Sequence, residues 1–98
     1  MNMQAMLQQA QRMQKDIQAK QEQINSTEYT GTSEMIDITI YGSKKIQSVN
    51  LKVKSLDEED IEVLEDMIKI AMNDAISKVD KDTDAKLGSY SKQLGGLM

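Results

Sequence analysis

Sixteen carboxylates and twelve cations carry almost all the chemistry open to this 98-residue sequence, which has no histidine and no cysteine. The commonest neutral-pH general base is therefore missing, as are thiolate nucleophiles, disulfides and every soft metal ligand except methionine sulfur. Carboxylates alone can bind calcium or work as an acid and base pair. Asp80, Asp82 and Asp84, with Asp74 upstream, resemble the start of a calcium loop. The glycine needed at its sixth position and the glutamate at its twelfth are replaced by Ala85 and Ser91, so no metal site is expected. The eleven acids from Asp57 to Asp84 are spread along the chain rather than converging as catalytic pairs do. Gly31, Gly42 and Gly88 stand alone, so no phosphate-cradling glycine loop exists either. The sequence predicts no enzyme, no cofactor and no small-molecule substrate.

The cations are distributed unevenly. Arg12, Lys15 and Lys20 lie early, Lys44, Lys45, Lys52 and Lys54 gather mid-chain, and Lys69, Lys78, Lys81, Lys86 and Lys92 follow within and after the acid-rich stretch. Cations in clusters can neutralise phosphates, yet the net charge of -4 opposes binding to a polyanion through overall charge. Local arrangement must decide, and that depends on the elements carrying the charges.

Met3, Met6, Ala10, Met13, Ile17 and Ile24 recur at three- and four-residue steps, with Lys20 at the remaining position. Such a seam, near 3.5 residues per repeat, suits helix-to-helix packing and predicts a helix over 1–25 that partly protrudes. Residues 27–54 read as a three-stranded antiparallel meander. Thr27 to Gly31 is rich in strand formers; Ile36, Ile38 and Ile40 alternate with polar neighbours; and Val49, Leu51 and Val53 repeat the pattern after the turn Gly42-Ser43-Lys44-Lys45. Ser55-Leu56-Asp57-Glu58 fits a capping box opening a helix over 57–79, whose stripe is Ile61, Leu64, Ile68, Ala71, Met72, Ala75, Ile76 and Val79. Asp80 to Asp84 reads as a polar break, 85–94 as a short terminal helix and 95–98 as a tail. The result is one α+β domain spanning 1–98. Eight methionines, three tyrosines and no phenylalanine or tryptophan leave a small core, which self-association would reinforce. Neither a membrane-spanning run nor a secretory leader is seen, so an intracellular chain with no membrane partner is expected.

Three segments resemble the YbaB/EbfC nucleoid-associated proteins of bacteria. They are Met6-Leu7-Gln8-Gln9-Ala10-Gln11-Arg12-Met13-Gln14, the alternating strand ending at Tyr41-Gly42 before a basic turn, and Leu64-Glu65-Asp66-Met67-Ile68 leading into Ala71-Met72-Asn73-Asp74-Ala75. The resemblance covers nearly the whole chain. It implies an intertwined homodimer whose protruding helices grip duplex DNA, in the cytoplasm at the nucleoid, with a role in chromosome organisation or gene expression. The chain departs from the family pattern at Gln8, where a lysine is usual, at Gly31-Thr32-Ser33-Glu34, where glycines cluster, and in lacking a Pro-Pro-Gly ending.

On this reading Arg12, Lys15, Lys20, Lys78, Lys81, Lys86 and Lys92 are the expected phosphate contacts. Ile36, Ile38, Ile40, Met67, Ala71, Asn73 and Asp74 are the expected dimer contacts. Low sequence specificity is expected, because no arginine-rich recognition helix or aromatic stacking platform is present. The alternative is a dimeric adaptor that uses its acidic helix to engage a basic protein, with incidental DNA affinity.

Overall fold

A computed structural model describes the backbone of residues 2–95 and the side chains as far as Tyr90. The chain is an α+β fold with the order α1 (Met3–Ser26), β1 (Glu28–Thr32), β2 (Ile36–Tyr41), β3 (Ile46–Leu51) and α2 (Glu58–Gly95). Asn2 caps α1 by accepting a hydrogen bond from the Gln4 backbone N–H. The strands form an antiparallel sheet in the order β1-β2-β3. Tyr29 lies opposite Ile40, Gly31 opposite Ile38, Ile38 opposite Val49, and Ile36 opposite Leu51. Directly opposed residues share a face, so these apolar side chains line one side of the sheet.

α2 covers that side, though only over β1 and β2. Ala71, Ala75 and Val79 pack on Tyr29, Ile36, Ile38 and Ile40, and all are buried. The helix comes close because of what is missing at Gly31: a Cβ there would lie 1.8 Å from the Ala71 carbonyl oxygen and 2.5 Å from the Ala75 nitrogen. Gly42 performs the same service for α1, since a Cβ there would meet the Ile24 carbonyl oxygen at 2.0 Å. The inward side chains expected of β3 are uncovered. Ile46, Val49 and Leu51 continue the apolar face of β2 but are exposed, because α2 does not reach over the third strand.

Two boundaries differ from the sequence reading. The polar stretch Asp80–Asp84 does not break the second helix, and 57–79 and 85–94 are parts of one 38-residue α2. Its polar residues are accommodated locally: Asp82 pairs with Lys86 one turn on, and the Thr83 hydroxyl donates to the Val79 carbonyl. No proline interrupts the run, and Gly88 is tolerated within it. The helix also begins later than the Ser55–Glu58 box implies. The Asp60 carboxylate accepts from the Asp57 backbone N–H at 3.0 Å, which puts the capping box two residues on. Of the expected tail, residues 96–98 lie outside the described residues.

As the chain advances, its contacts with α2 move backwards along that helix. Lys20 meets Tyr90, Tyr29 meets Asp82, Thr30 meets Lys78, and Thr32 meets Asp74. Both α1 and β1 therefore run opposite to α2. The start of α1 consequently projects past the end of α2, and Met3, Met6 and Leu7 are exposed while Ile24 is buried. The overall extent of 70 × 22 × 14 Å and a radius of gyration of 19.5 Å follow from the length of the 38-residue α2 together with this arm. A compact chain of similar length has a radius of about 13 Å.

Candidate nucleic-acid interface

The expected phosphate contacts fall into two groups. Arg12 and Lys15 are exposed on the projecting part of α1 and form no ion pair among the described residues. Met13, Ile17, Lys20 and Ile24 are its less exposed side, and helical geometry puts Lys15 opposite them. Lys81 is exposed on α2 without an ion pair among the described residues.

The second group is engaged within the chain. Lys20 donates to the Tyr90 hydroxyl at 3.1 Å and sits 4.6 Å from the centre of its ring. Lys78 bridges the Asp74 carboxylate at 3.2 Å and the Thr30 carbonyl at 2.6 Å, tying α2 to β1. Lys86 lies 2.9 Å from Asp82, whose carboxylate also accepts from the Tyr29 hydroxyl. Lys92 is in α2, and its side chain lies outside the described residues.

These contacts shift the ionisation of their acids. Asp82 is held below its ordinary range, chiefly by the Tyr29 hydroxyl and then by Lys86. Asp74 is likewise lowered, first by the Thr32 backbone N–H and then by Lys78. Asp37, on the sheet, is lowered by the Thr32 hydroxyl and by Lys52, 3.2 Å away. Burial, reinforced by Asp82, pushes the Tyr29 hydroxyl up to about 12. The network is thus a chain of carboxylates kept charged and a phenol kept neutral, joining α2 to β1.

Arg12 and Lys81 do not form one patch. Arg12 precedes Lys20 by eight residues on α1, and Lys81 precedes Tyr90 by nine on the opposed α2. At about 1.5 Å of rise per residue they are separated by some 25 Å along the molecule. Sequence spacing held the signal for two engaged lysines, since Asp74–Lys78 and Asp82–Lys86 are both four residues apart. Nothing local marks Lys20 against Tyr90, 70 residues away, or Tyr29 against Asp82, 53 residues away.

The expected dimer residues are also divided. Ile36, Ile38, Ile40 and Ala71 are buried in the chain's own core. Met67 packs at its margin, and Asp74 is occupied by Thr32 and Lys78, while Asn73 is exposed. Other apolar side chains of α2 and β3 are exposed. Ile61 and Ile68 are 52% and 40% exposed on the same helical stripe whose continuation, Ala71 and Ala75, is fully buried. Ile46, Val49 and Leu51 add the bare face of β3.

The chain is an α+β domain with a projecting helical arm, cations without ion pairs among the described residues on that arm, and exposed apolar side chains beside its core. The profile of the YbaB/EbfC DNA-binding family matches residues 1–94, and the chain belongs to that family. It is 41% identical over 96 residues to a nucleoid-associated protein of Lactococcus lactis subsp. cremoris, covering 96% of this chain and 97% of that one. A nucleoid-associated protein of Enterococcus faecalis is 37% identical over 98 residues, covering 98% of this chain and 94% of its own. One from Ligilactobacillus salivarius is 34% identical over 99 residues, covering 99% and 95% respectively. No described helix is long and apolar enough to cross a membrane.

Proposed function

We propose that this chain is a nucleoid-associated protein that binds duplex DNA as a homodimer, through phosphate contacts and with little sequence preference, in the bacterial cytoplasm. The observation that carries the reading is membership of a DNA-binding family over residues 1–94. Arg12 and Lys15 on the projecting arm are its first contacts, with Lys81 and Lys92 contributing from α2. Lys20, Lys78 and Lys86 hold the arm and α2 in position and act on DNA only through that.

A second copy covers the apolar strip formed by Ile46, Val49, Leu51, Ile61 and Ile68, with Met67 and Asn73 at its edge. Burying such a strip removes apolar area from water at about 25 cal/mol per Å². Pairing also brings two arms to one duplex, so each weak cation cluster acts twice. That matters for a chain of net charge -4, which free DNA repels at long range.

Two measurements test the reading. Duplex affinity should fall steeply as salt rises, with log K changing by about -0.9 per phosphate contact for each unit of log salt. Binding indifferent to salt would overturn the phosphate contacts. Sedimentation at micromolar concentration should give twice the chain mass, and a stable single chain would overturn the dimer. If DNA does not bind at all while the dimer forms, the acidic-helix adaptor becomes the better account.

A further inference from the structure

Lys44 and Lys45 lie outside the phosphate contacts proposed above, yet their setting is unusual. They occupy the turn between β2 and β3, closed by the Lys44 backbone N–H to Tyr41 carbonyl hydrogen bond at 2.8 Å and the Tyr41 N–H to Lys45 carbonyl bond at 2.9 Å. Lys44 has φ = 74°, the left-handed region, and is alone in this among the described non-glycine residues. A three-residue hairpin loop ending in a left-handed residue ordinarily takes glycine there, because a Cβ crowds the following carbonyl. Glycine is present two positions earlier in the turn, at Gly42, where contact with Ile24 demands it. The strained position instead carries a long cation, followed directly by another. Both are exposed, and neither forms an ion pair among the described residues.

Their place on the molecule gives the strain a use. Gly42 packs on Ile24 near the end of α1, so the hairpin tip stands beside the base of the arm. Arg12, on the flank of the same helix, lies twelve residues back, about 18 Å by helical rise, whereas Lys15 is on the face turned away from Ile24. A duplex lying along the arm advances about 3.4 Å per base pair, so it spans this interval in five or six steps. Loop lysines at the base of a cationic arm are well placed for a backbone that continues past it.

We infer that Lys44 and Lys45 form a further duplex-phosphate contact, extending the cationic track from the projecting arm to the sheet's hairpin tip. The inference rests on the DNA-binding reading above and deepens it. Position 44 tolerates its left-handed backbone because the cation is used in binding, so folding and DNA affinity favour different residues there.

The test uses the full chain and a 40-base-pair duplex of arbitrary sequence, with affinity measured by fluorescence anisotropy across a salt series. Lys44→Gly combined with Lys45→Gln removes both charges while relieving the left-handed strain, so its thermal midpoint should equal or exceed that of the parent. Its affinity should fall about tenfold or more at moderate salt, and the salt slope should become shallower by about 0.9 for each phosphate that is no longer neutralised. Lys44→Arg with Lys45→Arg keeps both charges and should retain affinity. Parent-like affinity and slope in the Gly/Gln variant, alongside weakened binding by Arg12→Ala with Lys15→Ala, would overturn the hairpin contact and leave the arm standing. A parent chain that does not bind the duplex would overturn both.

Discussion

One stripe on α2 has two fates. From Ala71 to Val79 it is sealed against β1 and β2, with Ala71 and Ala75 fully buried; towards the start of the helix the stripe opens, and Ile61 and Ile68 are exposed. The spacing of apolar residues barely changes along it, but their size does. Alanines sit where Gly31 lets helix and strand backbones come close, at Ala71 and Ala75, whereas isoleucines occupy the exposed positions 61 and 68. A small-residue seam suits close packing within a chain, and a large apolar strip left open suits a second surface. Periodicity therefore identifies what can be buried, while residue size and strand reach determine what buries it.

The sharpest way to break the covered half is Gly31→Val. Even the first carbon of the new side chain collides with the Ala71 carbonyl and Ala75 amide, which are backbone and cannot rotate away. α2 must lift off the sheet, and the expected loss is about 3 kcal/mol or more, the upper end for overpacking. Urea denaturation followed by circular dichroism measures it. A stable variant would mean that β1 and α2 are not in this close contact.

Truncation then sets the two halves side by side. Ile40→Ala empties a fully buried site and should cost about 2–5 kcal/mol. Ile61→Ser with Ile68→Ser alters half-exposed sites outside the core, and should cost the folding of a single chain less than Ile40→Ala does, about 1 kcal/mol each. Its expected effect is on mass: sedimentation at micromolar concentration should shift from two chains to one. A double variant that remains paired would move the proposed interface off the bare stripe.

Much of the fold is legible in the sequence, and the misreadings have physical causes. The helix of 1–25 and the alternation at Ile36, Ile38 and Ile40 can be read because local periodicity reports which face is apolar. The same alternation at Val49 and Leu51 misleads about coverage, since a strand's pattern does not say how far a helix reaches across the sheet. Asp80–Asp84 resembles a break because it is polar, yet helices end where capping or breaking residues appear, and here i, i+4 pairs carry the helix through. At the candidate interface, exposure of Arg12 and Lys15 matches their place on a protruding arm. The engagement of Lys20 depends on an aromatic 70 residues away, which no window of sequence contains.

Tyr29→Phe probes the polar seam joining the covered half of α2 to β1. It removes the hydrogen bond to Asp82 and leaves that carboxylate with Lys86, at an expected cost of about 1–2 kcal/mol. The effect also has a pH signature. The Tyr29 hydroxyl rises from 10.0 to about 12 on folding, so the folded state holds its proton more tightly. Its contribution is complete below pH 10 and disappears as pH rises towards 12. Stability of the parent should therefore fall across that window more steeply than that of the Phe variant, as denaturant midpoints at successive pH values would record. Equal alkaline slopes would place the Tyr29 hydroxyl in water.

The acid side gives the smallest effects, because the carboxylates concerned are substantially hydrated. Asp74, Asp82 and Asp37 are all lowered from 3.8, so folding favours their ionised forms. Their stabilisation is present above that value and lost as pH falls through the lowered folded values. Asp74→Asn isolates one of them, since the amide oxygen can still accept from the Thr32 N–H while the charge facing Lys78 is gone. Below about pH 4 the variant's denaturant midpoint should decline less steeply than the parent's, with little difference in slope at neutral pH. If the two acid limbs coincide, the Asp74–Lys78 bridge contributes nothing pH-dependent to the seam.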